Sequence, residues 1–222
     1  MDFYRIVSID DPVFRQLHNL MKHVFPSEEV LAYELWKEPL QDPDIHVYAA
    51  IQNREVVGAT EYRYYPEFRT AMTDFTIIGK PGLGIGRFLM KNREKDIKRL
   101  ATESETEPLG MFAEIYNPYL IEYEFGGVTP MNPYVRREVL SHIGYRRLDL
   151  EYVHPSWDHQ GEAVNGLDLC FLPADESLNA LPASLIYRFL ERYYSALPNK
   201  PSAWIDMMAD LKIKHEVALQ PL

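Results

Sequence analysis

With 222 residues, 46% hydrophobic and 13% aromatic, the chain can build one large domain, or a domain with a substantial extension, around a proper core. Its formal charge of −10 argues against wrapping nucleic acid or sitting on an anionic membrane, and an acidic surface favours a cationic substrate such as an amine. The single cysteine, Cys170, excludes an internal disulfide and a cysteine zinc site, and its apolar neighbours mark a buried thiol rather than a nucleophile. The first residues lack an apolar core of signal length and no run approaches about 18 apolar residues, which makes a cytoplasmic location the expectation.

Phe3 to Ile9 carries a short extended pattern ending at Asp10-Asp11-Pro12, a helix start with proline in the first turn. Phe14, Leu17, Leu20, Met21 and Val24 follow at helical spacing as far as Pro26. Ser27-Glu28-Glu29 then opens an expected second helix through Val30, Leu31, Tyr33, Leu35 and Trp36, closed by the region of Pro39 and Pro43. From Ile45 the period is extended: Ile45 to Ile51, a turn at Gln52-Asn53-Arg54-Glu55 and a strand from Val56 to Tyr65 predict an antiparallel hairpin. A second turn leads to a strand over Ala71 to Ile78, and a helix follows to about Ala101. Met111 to Tyr116 is the next strand. Residues 117–131, rich in aromatic, acidic and glycine residues, are long for a connector and form a candidate substrate loop. Asn132-Pro133 reads as a helix cap and first helical position, with Gly144 as the left-handed terminator. Tyr145 to Val153 alternates as a strand, with Gly166 to Leu172 as its expected hairpin partner. Toward the C-terminus Leu185, Ile186, Phe189, Leu190, Tyr193 and Leu197 share one helical face and Trp204 to Leu211 forms a second short helix. These are read as a helical extension over 174–222 packed on a domain over 1–173.

Between the strand ending at Ile78 and the helix after it, glycines occupy every second position: Gly82, Gly84 and Gly86. Peptide N–H groups at a helix start have no internal acceptor, and missing Cβ atoms let an anion come close. The main chain of Gly82, Leu83, Gly84, Ile85, Gly86 and Arg87 is therefore a candidate phosphate site. A dinucleotide fingerprint fails, because its third glycine would be Arg87 or Leu89; a nucleoside-triphosphate loop fails, because Ile85 stands where lysine is required. The remaining match, Pro81-Gly82-Leu83-Gly84-Ile85-Gly86, resembles the pyrophosphate loop of the GNAT superfamily of acyl-CoA N-acyltransferases, Arg/Gln-x-x-Gly-x-Gly/Ala. Pro81 departs from it, and Lys80, Arg87 and Lys91 offer charge instead.

The order β-α-α-β-β-β-loop-α-β-α-β-β over residues 3–173 also resembles that superfamily. The resemblance implies an α/β fold of the α+β type: a mixed, mostly antiparallel central sheet flanked by helices, whose strand after the loop helix splays from the loop strand to admit the pantetheine arm. It implies acetyl-CoA or another acyl-CoA as co-substrate with no metal, and main-chain N–H groups around Phe75, Thr76 and Ile77 that stabilise the carbonyl oxygen. The segment from Asn132 to Gly144-Tyr145 resembles the family's Asn…Gly-Phe/Tyr stretch and adds Asn132 to the cofactor set. The activity implied is acyl transfer to the amine of a small molecule, by a monomer or homodimer. A binding module that keeps the CoA site for sensing or assembly is the alternative, and transfer to a protein amine a third reading.

An amine has a pKa near ~10 and must lose a proton before it attacks, so the site needs a base. Glu114, among apolar neighbours on its strand, and Glu61, beside the loop strand, are the candidates, with Tyr116 two residues from Glu114 as an orienting group. For protonating the leaving thiolate the family uses a tyrosine four residues before the Gly-Phe/Tyr pair; Leu140 stands there, leaving Tyr134 and Tyr123 as substitutes. The seven histidines show no H-E-x-x-H spacing and are read as ordinary surface or core residues.

Overall fold

The computed structural model describes residues 1–25, 30–120, 132–156 and 161–222. Among them the chain divides into two compact units, Met1–Pro108 and the residues from Leu109 onward. Each unit is an antiparallel sheet with helices, in keeping with the expected α/β class of mostly antiparallel strands flanked by helices.

The first unit holds β1 (Asp2–Ile6), α1 (Pro12–Val24), β2 (Ile45–Gln52), β3 (Glu55–Tyr65), β4 (Thr70–Ile78) and α2 (Ile85–Glu103). Its strands lie in the order β1-β2-β3-β4. Helix α1 begins where the sequence signals it: the Asp11 carboxylate accepts from the Val13 N–H at 2.8 Å and Pro12 fills the first turn, where no donor is needed. Phe14, Leu17 and Met21 of α1 pack with Val47, Ala49, Ala59 and Ile77. Ile85 and Leu89 of α2 pack with Ala50 and Val57. With both faces occupied, β2 is buried from Ile45 to Ala50 and loses the polar alternation of a half-exposed strand. The β2–β3 turn places Asn53 at φ 53° and Arg54 at φ 66°, the two positive angles that match a two-residue hairpin to strand twist.

The helix expected from Ser27 to Trp36 is not formed in its described part. Residues 26–29 lie outside the described residues, and beyond them the chain forms two short 3-10 turns, Tyr33–Trp36 and Pro39–Gln41. Long-range bonds override the helical spacing: His18 Nε2 contacts the Leu31 carbonyl at 2.9 Å and the Tyr33 hydroxyl donates to the Ile9 carbonyl. Trp36 is buried against Phe14 while Leu31 and Leu35 stay exposed, so the apparent apolar stripe is split.

The second unit contains β5 (Gly110–Tyr116), α3 (Pro133–Ile143), β6 (Arg146–Leu148), β7 (His154–Pro155), β8 (Ala163–Val164), β9 (Leu167–Pro173), β10 (Ala180–Pro182), α4 (Ala183–Tyr193), α5 (Ser202–Ile213) and β11 (Glu216–Pro221). Five strands run in the order β5-β9-β6-β11-β10, and β7 and β8 form a separate ribbon. The expected hairpin of 145–153 with 166–172 is corrected. β9 pairs with β5 along its whole length and with β6 only through Arg146↔Phe171 and Arg147↔Cys170. After Leu148 the chain leaves the sheet, and the Asp149 N–H bonds instead to the Ala218 carbonyl of the last strand. The C-terminal segment is thus not helices alone: β11 pairs with β6 on one side and β10 on the other. Phe112 of β5 stacks on Phe189 of α4 at 4.2 Å, which brings α4 over the β5 face that also carries Glu114 and Tyr116.

Gly58 of β3 fixes how closely α2 approaches the first sheet. A Cβ there would stand 2.5 Å from Ile85 Cγ2 and 2.7 Å from the Ile77 carbonyl oxygen. Gly58→Ala is expected to cost ~1–3 kcal/mol through overpacking. The check is a urea midpoint that falls with an unchanged slope; an unchanged midpoint would mean that α2 has slack there.

Candidate functional site

The glycine-rich stretch connects β4 to α2 in the first unit. Gly82 (φ 81°) and Gly84 (φ 67°) take left-handed conformations, and a Cβ on either would meet nothing within 4 Å, so the turn presents bare main chain to open space. Gly86 serves a different purpose, since its Cβ would lie 3.1 Å from Ile78 Cδ1 where the helix packs on the strand. Gly84 is the cap residue of α2 and no side chain caps the helix; its carbonyl accepts the first helical bond, from Phe88. Among the described residues the N–H groups of residues 82–87 therefore meet no protein acceptor. Of the cations expected here, Lys80 is engaged by Glu55 and Arg87 and Lys91 are exposed. Ile85 is buried and Leu83 exposed, so both would reach a ligand at the turn through their peptide groups.

β4 carries an extra residue opposite β3: Glu61 pairs with Phe75 and Tyr62 with Thr73, leaving Asp74 as a bulge. Asp74 is an exposed residue whose side chain is only 19% accessible, so much of its open surface is main chain. Beneath the bulge, Arg93 of α2 is 4% exposed, and its Nη1 lies 3.1 Å from Thr60 Oγ1 and 2.9 Å from the hydroxyls of Thr73 and Thr76. Thr60 also donates to the Phe75 carbonyl at 3.1 Å. Glu61 points to the other side and is 5% exposed. Burial first, then the charge of Asp74 and a hydrogen bond to it, push its carboxyl well above the usual range, against a smaller effect of Arg63. It holds a proton where ordinary glutamates have lost theirs.

In the second unit Glu114 anchors a compact polar cluster. Its Oε1 accepts from the Tyr152 hydroxyl and from the Tyr194 hydroxyl at 2.5 Å, and lies 2.7 Å from His154 Nδ1. The two tyrosine oxygens are 2.7 Å apart, and Tyr194 Oη is 2.8 Å from His154 Nδ1. Burial pushes the Glu114 carboxyl up, but the imidazole and the tyrosine hydrogen bonds outweigh it and hold the group below its ordinary range. Burial, then the Glu114 charge, push both tyrosines well up, which keeps them donors. Desolvation was expected to raise Glu114 and suit it to proton abstraction; its donors leave it instead an ionised acceptor. Tyr194 caps the C-terminus of α4, Tyr152 follows β6 and His154 opens β7, so none shared a sequence motif with Glu114. The only signal for them was chemical: aromatic hydroxyls and a histidine amid apolar spacing.

Tyr116 is half-buried on the same β5 face as Glu114. Asn132 caps α3, its Oδ1 accepting from Tyr134 at 2.9 Å and Val135 at 3.4 Å, and so has a structural task on this chain. Tyr134 donates to the Pro118 carbonyl at 3.2 Å. Tyr123 and residues 121–131 of the expected substrate loop lie outside the described residues. Cys170 is fully buried and burial pushes its thiol up, the inert state read from its neighbours. Among the described residues no group of three acidic, cysteine or histidine side chains is placed to hold a metal, and no helix is long and apolar enough to cross a membrane.

No protein-family model matches the chain, and no curated protein matches its sequence. Solved structures do match its fold. A protein described as a GNAT-family acetyltransferase from Bacteroides thetaiotaomicron superposes with a TM-score of 0.58 at 14% identity, covering 89% of this chain and 97% of that one. The chain has the GNAT fold. The ribosomal-protein-S18-alanine N-acetyltransferase from Escherichia coli shares it with a TM-score of 0.52 at 11% identity, over 80% of this chain and 97% of its own. A protein from Staphylococcus epidermidis described as an acetyltransferase does so with a TM-score of 0.52 at 12% identity, over 77% and 96%. At these identities the GNAT likeness speaks for the fold alone.

The two buried glutamates should respond to pH with opposite signs. Glu61 has a raised folded pKa, so the stability tied to its protonated form is complete below the unfolded value of about 4.3 and is lost as pH rises toward the folded one. Glu114 has a lowered folded pKa, so its contribution is complete above that value and is lost as pH falls through the folded one. Denaturant titrations should therefore show Glu61→Gln gaining on wild type from about pH 5 to pH 8, and Glu114→Gln losing most relative to wild type near neutrality. Parallel slopes for the two variants would refute this assignment.

Proposed function

We propose that the chain is an acyl-CoA-dependent N-acyltransferase, in its simplest form an acetyltransferase acting on the amine of a small molecule. The observation that carries the reading is the run of acceptor-less N–H groups at residues 82–87, where Gly82 and Gly84 leave open space and two exposed cations stand nearby. Such a helix start suits a diphosphate, because its peptide dipoles and unpaired donors converge on negative oxygens without any side chain. The GNAT fold supports the choice of coenzyme A over other diphosphates.

The acyl-CoA supplies a thioester carbonyl. The β4 bulge at Asp74, next to Phe75, Thr76 and Ile77, is where a main-chain donor would meet the oxygen on which charge develops. The amine first gives up a proton; its lone pair then forms the C–N bond as the C–S bond breaks, the thiolate takes up a proton, and one proton is left for solvent. A thiol pKa near ~8.5 lets the thiolate leave without a dedicated acid, which tolerates Leu140 where the family has tyrosine. Glu61, holding its proton, starts as a donor rather than an acceptor, and Glu114 is the ionised carboxylate. A CoA-binding module without turnover is the second reading, favoured by Pro81 and Leu140.

Incubation with acetyl-CoA and a panel of primary amines, read as free thiol, should show turnover with at least one amine; tight CoA binding without turnover would favour the binding module. Gly84→Val should raise the Kd for CoA by at least ~10-fold, about 1.4 kcal/mol, because a β-branched side chain both strains the left-handed turn and fills the open space. Calorimetry giving equal affinity in a folded variant would remove the loop from the site.

A further inference from the structure

Arg93 brings more donors than its surroundings accept. A guanidinium carries five N–H groups in a rigid fork and accepts nothing, and on Arg93 only Nη1 is engaged. It lies 3.1 Å from Thr60 Oγ1 and 2.9 Å from the hydroxyls of Thr73 and Thr76, so its two hydrogens already face three acceptors. Those oxygens are free to accept because their own hydrogens are used elsewhere, Thr60 donating to the Phe75 carbonyl at 3.1 Å and Thr73 to the Glu61 carbonyl at 3.2 Å. The hydrogen on Nε and the two on Nη2 have no acceptor among the described residues. The described side-chain atoms that are both sealed and unpartnered belong to Trp36, His46, Thr70, Arg137 and Trp204. Nε and Nη2 therefore reach the accessible surface, on a residue that is only 4% exposed.

A guanidinium buried this far ordinarily meets a carboxylate, and the nearby acids of the first unit are committed. Asp96, one turn along α2, accepts from Tyr62 at 2.5 Å and from Arg99 at 2.8 Å. Asp74 of the bulge is held by Arg63 at 3.2 Å, and Glu61 keeps its proton on the other side. We infer that the free Nε–Nη2 edge of Arg93 receives a carboxylate at the far end of the acyl group, so that the co-substrate is the CoA half-thioester of a short dicarboxylic acid; the inference rests on the acyl-CoA reading. The edge fits that group because Nε–H and one Nη2–H lie parallel, matching the two oxygens of a carboxylate. Its place fits as well. Nη2 shares a carbon with the Nη1 that touches Thr73 and Thr76, the residues on either side of the bulge where the thioester carbonyl is proposed to sit. The CoA diphosphate is not the missing anion, since Arg93 stands more than two turns beyond the start of α2, about 12 Å at ~1.5 Å per residue. An acetyl group would leave the three N–H groups unmet, whereas a terminal carboxylate, ionised above a pKa of about 4, satisfies two and balances the charge.

The test is calorimetry on the full chain with no acceptor present, comparing free CoA, acetyl-CoA, succinyl-CoA and succinamyl-CoA. The last ends in a carboxamide, which keeps the shape of the carboxylate without its charge. Wild type should bind succinyl-CoA at least ~10-fold more tightly than succinamyl-CoA or acetyl-CoA, the gain of a charge-assisted, hydrogen-bonded pair. Arg93→Lys keeps the charge and loses the fork, and should lose most of that preference while still binding free CoA. Equal wild-type affinities for the three acyl-CoAs overturn the inference and leave the acyl-CoA reading standing, and this comparison needs no variant to fold. A preference for succinyl-CoA that persists undiminished in Arg93→Lys overturns it too, by placing the carboxylate elsewhere. An amino-acid acceptor also brings a carboxylate, so glycine and methylamine are compared as acceptors with acetyl-CoA. A dependence on Arg93 confined to glycine overturns the acyl assignment in favour of the acceptor. No affinity for any of the CoA ligands overturns the acyl-CoA reading, and this inference with it.

Discussion

Peptide N–H groups must find an acceptor or water, and at residues 82–87 the described residues of this fold offer no acceptor. Two left-handed glycines turn the chain from β4 into α2 with no side chain able to reach back and cap it. A serine or aspartate at the cap would bond one donor and stabilise the helix by ~1 kcal/mol, so the bare start forgoes stability. It is consistent with a site kept for a ligand that brings its own oxygens. The stretch also lacks acidic residues in the first helical turn, which would otherwise occupy the positive end of the dipole.

Two glutamates show how one residue type is driven to opposite states by what surrounds it. Glu61 lies beside another carboxyl, and burial next to like charge is relieved by keeping the proton. Glu114 is buried as well, but among two hydroxyl donors and an imidazole, and these favour the anion more than burial disfavours it. A carboxyl that stays neutral and one that stays ionised supply different chemistry from the same sequence letter. Composition could not separate them, because the deciding partners are contributed by other elements.

That same dependence on distant partners marks where the sequence was legible and where it was not. Strand and helix periodicity, the Asn53-Arg54 turn, the caps at Asp11 and Asn132 and the glycine entry to α2 are local, set by neighbours within a few residues, and each appears in the structure. The segment around Tyr33 was misread because bonds to Ile9 and His18, 24 and 13 residues away in the chain, outweigh its helical spacing. Strand β11 was missed because 174–222 was read as a helical extension, and the partners that make a strand of Glu216 to Pro221, β6 and β10, lie far from it in the chain. Glu114 was singled out by its apolar flanks, yet its partners lie 38, 40 and 80 residues further along the chain. His154, read with the other histidines as an ordinary residue for lacking metal spacing, is held 2.7 Å from the Glu114 carboxylate.

The buried arginine of α2 ties the β4 bulge to the helix whose start carries the bare N–H groups. Thr73 precedes the β4 bulge and Thr76 follows it, and Nη1 of Arg93 holds both, together with Thr60 on the neighbouring strand. Among the described residues no carboxylate pairs with Arg93, so its charge is met by hydroxyl dipoles alone. Each hydroxyl has a further contact, Thr60 to the Phe75 carbonyl and to Thr76, and Thr73 to the Glu61 carbonyl, so the guanidinium joins a network that spans both sides of the extra residue. Because Arg93 and Gly84 belong to one continuous helix and its cap, the placement of the bare N–H groups and the shape of the bulge are fixed by the same rigid element. On the acyl-CoA proposal, a ligand held at the helix start would meet a strand whose main chain is already set, so that binding would not also have to order it.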